Sequence, residues 1–242
     1  FQVDLARSLI TGQEVTPQLL QRLPATLQLA AAALFIGLAI ALPAGIISAL
    51  KPGSKVDVFA SVLSQVGVAI PDFWMGIMLI LLFSLTLGWL PARGYTPIGE
   101  DFVDWLKHII LPAATLGIIS GAIQTRFVRS AMLEVLSENY IRTGYAKGLA
   151  ERKVIMGHAL PNAMITIVTI IGLQITALLS AVVVVEVVFG WPGLGRLALE
   201  AVLDRDYPLL QGTVLTMATM LTLVNLGVDL LYFILDPRIE YA

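Results

Sequence analysis

Charged residues are scarce in this chain, and cysteine is missing altogether. Asp, Glu, Lys and Arg make up 13% of the 242 residues, whereas a soluble globular domain contains about 25%. Half the usual number of charges is too few to cover a water-facing surface, which argues against a soluble fold. The absence of cysteine excludes disulfide frameworks and metal sites with thiolate ligands.

The chain also lacks patterns that hold metals or nucleotides. His108 and His158 are the two histidines and lie far apart in the sequence, so we expect no metal site. No segment has the Gly-x-x-x-x-Gly-Lys-Ser/Thr spacing that cradles nucleotide phosphates. We therefore expect no catalytic residue, no cofactor bound by this chain and no ATP hydrolysis by it. Nucleic acid is not an expected partner.

Long apolar runs take the place of these features. A helix needs about 20 mainly apolar residues to cross ~30 Å of hydrocarbon. We predict one membrane-crossing helix in each of five runs that contain no Asp, Glu, Lys or Arg, and hence an all-α, polytopic membrane helical bundle. The runs are Leu23–Leu50, Phe73–Ala92, His108–Thr125, Val154–Val185 and Tyr207–Val228.

The segments around these runs suggest two parts. Residues 1–22 are polar and mixed in charge, and we predict an amphipathic segment at the outer membrane surface, with a helix starting at Thr16-Pro17. Residues 23–242 are predicted to form the transmembrane domain. A separate surface helix is expected around Asp101–Lys107.

Proline and glycine mark two special points inside the apolar regions. Pro71 interrupts a region too long for one straight span, and it should bend or break the helix because proline removes a donor and clashes with the preceding turn. Gly117 and Gly121 form a GxxxG pattern, which allows close helix packing in lipid.

Lysine and arginine are unevenly distributed between the loops, and positive charge favours the cytoplasmic side. Nine of the fifteen lie in the 51–55 turn, the 126–161 region or the tail, so we predict these segments to be cytoplasmic. The N-terminal segment, the 88–107 loop and the 190–208 loop then face outward. Because the span number is odd and residue 1 is Phe, we expect six spans in the full protein, with the first missing here.

A polar loop at 138–161 carries the most specific pattern. Arg142-Thr143-Gly144 is followed after three residues by Gly148, and nine residues later by His158-Ala159-Leu160-Pro161. Gly144 and Gly148 would share one helical face. Glycine costs a helix about 1 kcal/mol relative to alanine, which is understandable if a partner approaches that face closely. Apolar contact with such a partner is expected from Leu149, Val154 and Ile155.

This spacing resembles the EAA loop of permease subunits in binding-protein-dependent ATP-binding-cassette (ABC) importers. That pattern is Glu-Ala-Ala, three residues, glycine, nine residues, isoleucine, one residue and Leu-Pro. The glycine, the spacing and the Leu-Pro match, whereas Arg142-Thr143-Gly144 replaces the triplet and His158 replaces the isoleucine.

With these departures, the loop resembles the sequences of the dipeptide, oligopeptide and nickel branch of the family. One difference from that branch is Gly144-Tyr145, which stands where the branch commonly has Ala-Arg. Further resemblance to the branch extends along the whole chain. It lies in Arg22–Leu27, Arg129–Leu136, Tyr140–Thr143, Ala146–Leu149, Val187–Phe189, Trp191–Arg196, Arg205–Pro208, Asp229–Tyr232 and Asp236–Arg238.

The resemblance implies the fold of a type I ABC importer permease, and the role of the first permease of a pair in a bacterial or archaeal inner membrane. It implies several partners: a second permease, two cytoplasmic ATPases that carry ATP and Mg, an extracytoplasmic substrate-binding protein and the lipid bilayer. The permease would form half of the translocation path and import di- or oligopeptides.

Three groups of site residues follow. ATPase coupling is assigned to Arg142, Thr143, Gly144, Ala146, Lys147, Gly148, Leu149, Glu151, Leu160 and Pro161. The translocation path is assigned to Pro71, Asp72, Phe73, Trp74 and Glu186, because intramembrane charge and irregular backbone tend to line cavities. Docking of the binding protein is assigned to Trp191, Pro192, Gly193, Arg205 and Asp206.

Alternatives remain open at this point. Asp72 could instead cap the helix that resumes after Pro71, and Glu186 could simply lie at the membrane interface or contact the binding protein. The cargo could be nickel chelates or glutathione-like compounds. An ion-coupled secondary transporter is the alternative from another class, but it would favour inverted repeats, and no repeat is evident.

Overall fold

A computed structural model describes residues 6–235, except the side chains of residue 229 and residues 231–235. The ends of the two predicted parts, residues 1–5 and 236–242, lie outside this range. Within it the chain is helical, and one isolated antiparallel bridge joins Arg7 and Glu14. The helices are α1 Val15–Leu50, α2 Lys55–Ala69, α3 Asp72–Leu79, α4 Phe102–Leu136, α5 Asn139–Ala146, α6 Glu151–Val154, α7 Leu160–Phe189, α8 Leu194–Leu203 and α9 Tyr207–Leu235. Two π-helical segments, Ile80–Thr86 and Ile155–Ala159, follow α3 and α6.

Four stretches of the described chain are long and apolar enough to cross a membrane, namely Val15–Leu50, Phe102–Leu136, Glu151–Phe189 and Tyr207–Val228. The pair formed by α2 and the Asp72–Thr86 segment supplies a fifth span if it is counted as one. This pair is broken at Ile70 and Pro71, where Pro71 is extended with φ −64° and ψ 141°. The predicted break at Pro71 is confirmed, and so is the all-α membrane fold.

Two predicted helix boundaries are wrong. The first span begins at Val15 rather than Leu23, so Thr16-Pro17 does lie at a helix start, but that helix continues directly into the membrane span. The surface helix predicted at Asp101–Lys107 is the first part of α4. Asp101 caps this helix, because its Oδ1 accepts the N–H groups of Val103 at 2.8 Å and Asp104 at 3.0 Å.

The described residues divide into two compact units. Unit 1 comprises residues up to Ile36, Ile70–Gly117 and Thr176–Val224. It therefore contains the three segments predicted to face outward. Its buried apolar residues include Leu29, Ile109 and Trp191 in one cluster, and Val15, Leu194 and Leu209 in another.

Unit 2 comprises Gly37–Ala69, Ile118–Ile175 and the described residues from Asn225. It contains the 51–55 turn and the 126–161 region, both predicted to be cytoplasmic. Its buried cluster includes Val128, Met132, Ile141, Val154 and Ile167.

The GxxxG pattern packs against α1 within each unit. In unit 1, a Cβ at Gly117 would lie 2.7 Å from the Cβ of Ile36. In unit 2, a Cβ at Gly121 would lie 3.0 Å from the carbonyl oxygen of Gly37. Both distances are too short for a larger residue, so the predicted close packing is confirmed.

Candidate functional site

The 138–161 loop, predicted to be cytoplasmic, begins with the short helix α5, which ends in a Schellman motif at Gly148. Gly148 has φ +73°, the left-handed conformation that glycine adopts without a Cβ penalty. Its N–H donates to Tyr145 O at 2.9 Å, and Leu149 N–H donates to Gly144 O at 3.3 Å, the two bonds of this motif. Gly148 therefore ends the helix, and the prediction that it shares a helical face with Gly144 is wrong.

The Leu160-Pro161 pair lies inside a continuous helical stretch, Glu151–Phe189. Proline at position 161 disrupts α-helical bonding to the preceding turn. The chain accommodates it through the π-helical segment Ile155–Ala159, where Leu160 N–H donates to Ile155 O. π-helical turns of this kind relieve such strain and are frequent at functional sites.

The apolar residues of the loop face inward. Ile141 is 1% exposed, Val154 is fully buried and Ile155 is 7% exposed, and Leu149 packs against the same unit 2 cluster. The prediction that Val154 and Ile155 offer apolar contact to a partner is therefore wrong, because their side chains are buried in their own unit. Leu149 is half-buried, and its contact with a partner stays a prediction.

The solvent-exposed face of the 138–161 loop carries basic side chains together with aromatic and thioether side chains. Arg142, Lys147, Glu151, Arg152 and Lys153 are exposed. Tyr140, Tyr145 and Met156 are exposed by 45%, 44% and 57%. Partial burial of its ring, and then the nearby Glu138 carboxylate, raise the pKa of Tyr140, so this side chain stays neutral. Of the other residues assigned to coupling, Thr143, Ala146, Gly148 and Pro161 are exposed, while Gly144, Leu149 and Leu160 are half-buried.

The residues after the Pro71 break form an exposed apolar ridge on α3. Phe73 and Trp74 are 51% and 45% exposed, and Pro71 is exposed as well. Asp72 is half-buried in the first helical turn, where a carboxylate is favoured by the helix dipole. Gly76 is buried where α3 packs against Phe189, whose ring would lie 3.1 Å from a Cβ there.

Glu186 is completely buried within unit 1, so its side chain reaches no open surface in this structure, and its assignment to the path stays a prediction. Its Oε1 accepts the Thr26 hydroxyl at 2.7 Å, and its Oε2 accepts the Arg196 N–H at 3.0 Å. The Thr26 hydroxyl oxygen also accepts the Leu194 N–H at 2.8 Å. The carboxylate therefore ties α1 to the start of α8.

The 190–208 loop, predicted to face outward, packs into unit 1 through several of the residues assigned to docking. Trp191 is fully buried, and its Nε1 donates to Ala25 O at 2.9 Å. Its ring packs edge-on against the ring of Tyr95, with 4.8 Å between the two ring centroids. Gly193 is also buried, whereas Pro192 is half-buried. Docking through Trp191 or Gly193 would need surface that neither residue offers in this structure, and the assignment of these two stays a prediction.

Asp206 is likewise buried, at 2% exposure, and joins the N-terminal segment to the start of α9. Its carboxylate accepts the Ser8 hydroxyl and the Leu9 N–H at 3.2 Å. Arg205 beside it is exposed, with φ +56°. Arg205 is thus the docking candidate that reaches solvent, and the assignment of Asp206, which is buried, stays a prediction.

The sequence did not predict which polar side chains pair across long distances in the chain. These pairs are Thr26 with Glu186, Ser8 with Asp206, and Asp57 with Arg129. A signal existed only for Asp57, because Ser54-Lys55-Val56-Asp57 has the spacing of a helix capping box. Nothing local in the sequence links Thr26 to Glu186 or Ser8 to Asp206.

The sequence model of the family described as "Binding-protein-dependent transport system inner membrane component" matches residues 41–241. The chain belongs to this family. The match covers the loop, the π-helical turn at Leu160-Pro161 and the outer loop, so the permease resemblance seen in the sequence is confirmed.

Curated relatives of this permease are named as peptide transporters. It is 43% identical over 261 residues to the dipeptide transport system permease protein of Escherichia coli (strain K12), with 98% of this chain and 77% of the relative covered. It is 42% identical over 260 residues to the di/tripeptide transport system permease protein of Pseudomonas aeruginosa (strain UCBPP-PA14), with 99% and 77% covered. The oligopeptide transport system permease protein of Bacillus subtilis (strain 168) is 41% identical over 243 residues, with 99% and 77% covered.

Solved importers share the fold of this permease. An inward-facing structure of the MetNI methionine ABC transporter matches with a TM-score of 0.75 at 16% identity, covering 90% of this chain and 96% of that one. An amino acid ABC transporter crystallised with histidines matches with a TM-score of 0.65 at 18% identity, covering 93% and 95%. The protein is thus a multi-pass inner-membrane permease subunit of a binding-protein-dependent ABC importer.

Proposed function

We propose that this permease receives the force of ATP hydrolysis through one exposed face of its cytoplasmic loop. We name this face the coupling surface and define it as Tyr140, Arg142, Tyr145, Lys147 and Met156. The single observation that supports it most is the division of the loop into a buried apolar side and an exposed side with tyrosines, methionine and cations. Tyrosine, methionine and arginine are enriched in protein interfaces.

The buried side of the loop gives the coupling surface a rigid backing. Ile141 and Val154 pack in one cluster with Val128 and Met132 of α4 and Ile167 of α7. Closely packed side chains transmit displacement rather than absorb it. A cytoplasmic ATPase that moved α5 would therefore move the ends of α4 and α7 with it.

The partners of the proposal are those of the importer family. Two ATPases with ATP and Mg would drive the cycle, a second permease would complete the path, and an extracytoplasmic binding protein would deliver cargo. The exposed ridge of Pro71, Phe73 and Trp74 is our candidate for the path side of this subunit. This chain would bind no cofactor and hydrolyse no ATP.

We propose di- or oligopeptides as the cargo, because the named relatives at 41–43% identity transport peptides. Uptake of a labelled dipeptide into proteoliposomes holding the whole importer tests this. Excess unlabelled dipeptide should abolish the signal, whereas a nickel chelate or glutathione should not. Competition by either of those compounds but not by peptides would overturn the peptide assignment.

The coupling surface is tested with the double variant Tyr145→Ala and Met156→Ala in the assembled importer. Each interface residue that is a hot spot contributes more than about 1 kcal/mol of binding free energy. The loss of one such contribution weakens the affinity several-fold. We expect the ATPases to be retained at least about tenfold less well during purification, and peptide uptake to fall accordingly.

The matched control is Leu203→Ala, which removes a similarly exposed apolar side chain, at 72%, from unit 1. Leu203 belongs to the unit that holds the predicted outer segments, so ATPase retention should be unchanged. Equal retention in the double variant and the control would contradict the coupling surface.

A further inference from the structure

One buried carboxylate joins four parts of unit 2. Asp57, in the first turn of α2, is 4% exposed. Its Oδ1 accepts the Ser48 hydroxyl of α1 at 2.8 Å, and its Oδ2 accepts the Gly53 N–H of the 51–55 turn at 2.8 Å. Ser54 caps the same helix turn, since its Oγ accepts the Asp57 N–H at 3.2 Å.

The fourth part is α4, which supplies Arg129. The guanidinium meets the carboxylate as a fork, with Nε to Oδ1 at 2.6 Å and Nη2 to Oδ2 at 2.8 Å. The arginine side chain is 31% exposed, so most of the pair is shielded from water. A two-pronged pair fixes direction as well as distance, which lysine cannot do.

The arginine lies on the last two turns of α4, immediately before the cytoplasmic loop. Its neighbours Val128 and Met132 are buried, and both pack in the cluster that contains Ile141 of α5 and Val154 of α6. The rotation and the axial position of the end of α4 therefore determine where α5 and α6 lie.

A buried ion pair adds little net stability, because the desolvation of both charges offsets their attraction, but it can select one arrangement among several. Here the pair adds a polar constraint between α1, α2 and α4 to the close helix packing at Gly117 and Gly121. A fully hydrogen-bonded carboxylate at Asp57 is compatible with one register only.

We propose that the Asp57–Arg129 pair is a positioning element that fixes the end of α4, and through it the cytoplasmic loop, in the orientation needed for coupling. This inference rests on the proposed coupling function. The two residues touch neither cargo nor nucleotide and act through the packing of Val128 and Met132 on the loop.

The test uses the whole importer with Asp57→Asn, Arg129→Gln and Arg129→Lys. Hydrogen exchange of the amides in residues 139–159 reports the loop directly. Uptake and ATP hydrolysis, measured together in proteoliposomes, give the ATP consumed per peptide imported. A purely structural defect lowers both activities together and leaves this ratio unchanged, whereas a mispositioned loop raises it.

We expect Asp57→Asn and Arg129→Gln to speed exchange in the loop at least about tenfold, and to raise the ATP consumed per peptide. Arg129→Lys, which keeps the charge but loses the fork, should give an intermediate effect. The control is Glu200→Gln, which removes the half-buried Arg196–Glu200 ion pair of α8 in unit 1 and should change neither quantity.

Unchanged loop exchange in the assembled variants overturns the inference. If neither Asp57→Asn nor Arg129→Gln assembles, Arg129→Lys is the deciding variant. The inference is then overturned if Arg129→Lys shows wild-type hydrogen exchange and a wild-type amount of ATP consumed per peptide. Faster loop exchange without any change in the ratio overturns the role in coupling. Failure of the coupling surface is seen separately, as intact ATPase retention in the Tyr145 and Met156 double variant.

Discussion

Glu186 accepts a 2.7 Å hydrogen bond from the hydroxyl group of Thr26, across 160 residues of sequence. Both side chains are buried, and the same hydroxyl oxygen accepts the N–H of Leu194 at 2.8 Å. One threonine therefore satisfies a buried carboxylate and the first turn of α8 at once. This contact explains why a charged residue near the end of a span can be structural rather than part of a path.

Thr26→Val should destabilise the permease, because it leaves the Glu186 oxygen and the Leu194 N–H without this partner. Each unsatisfied buried polar group costs about 1–3 kcal/mol. Thr26→Ser keeps the hydroxyl and should remain close to wild type. The midpoint of thermal unfolding of the detergent-solubilised importer distinguishes the two, and equal midpoints for valine and serine would rule out the proposed role of the hydroxyl.

Gly193→Ala should displace the Glu186 carboxylate. A Cβ at this position would lie 1.8 Å from Glu186 Oε1, so either the loop or the carboxylate must shift. The same substitution in a Glu186→Ala background should be less harmful, because the space is then free. A double-mutant cycle on thermal midpoints measures this coupling. Additive effects of the two changes would show that the clash does not occur.

Gly148 should tolerate asparagine better than valine. Nothing lies within 4 Å of a Cβ built there, so a substitution acts only through the backbone at φ +73°. The left-handed conformation costs ordinary residues about 1–2 kcal/mol, and asparagine is among the residues that adopt it most readily. We expect hydrogen exchange in α5 to be near wild type in Gly148→Asn and clearly faster in Gly148→Val. Similar exchange in both variants would argue against the Schellman motif as the reason for this glycine.

Asp206 should make the attachment of the N-terminal segment sensitive to acid. Burial alone would raise the pKa of this carboxyl group, but hydrogen bonds from Ser8, Leu9, Leu209 and Ile10 outweigh it and hold the pKa below its usual value. A carboxyl group with a depressed folded pKa contributes stability that is complete above its unfolded pKa of about 3.9 and is lost as the pH falls through the folded pKa.

Limited proteolysis of residues 6–14 between pH 7 and pH 3 measures this effect. We expect wild-type protection to hold near neutral pH and to fall on acidification below about pH 4. Asp206→Asn should lower protection at neutral pH and weaken its pH dependence. A variant with an unaltered pH profile would show that another group controls the segment.

Much of the architecture could be predicted from local composition. The five apolar runs, the break at Pro71 and the packing at Gly117 and Gly121 depend on what a short stretch can do in a bilayer. The errors have local causes too. Residues 15–22 and 101–107 are polar but helix-compatible, so they extend α1 and α4 rather than form separate segments.

The burial of the candidate-site residues was predicted less well, because residue type does not reveal burial in a membrane protein. The loop predicted to face outward contains an aromatic residue, a glycine and an aspartate whose position suggested exposure. All three, Trp191, Gly193 and Asp206, are buried. Val154 and Ile155 suggested a partner-facing surface, yet they hold the loop to its own unit. Tyr145 and Met156, which are exposed, had no distinguishing local pattern.

The sequence by itself determined the spans, their break, the likeness to a permease family and the spacing from Gly148 to Leu160-Pro161, since each depends on neighbours along the chain. The tertiary structure decided which polar groups meet: Asp57 with Arg129, Glu186 with Thr26, and Asp206 with Ser8, across 72, 160 and 198 residues. The physical reason is that residues facing lipid and residues facing the protein interior are equally apolar in a bilayer, so the pattern along a span does not fix its rotation. Only the packed helices show which of their few polar side chains come together.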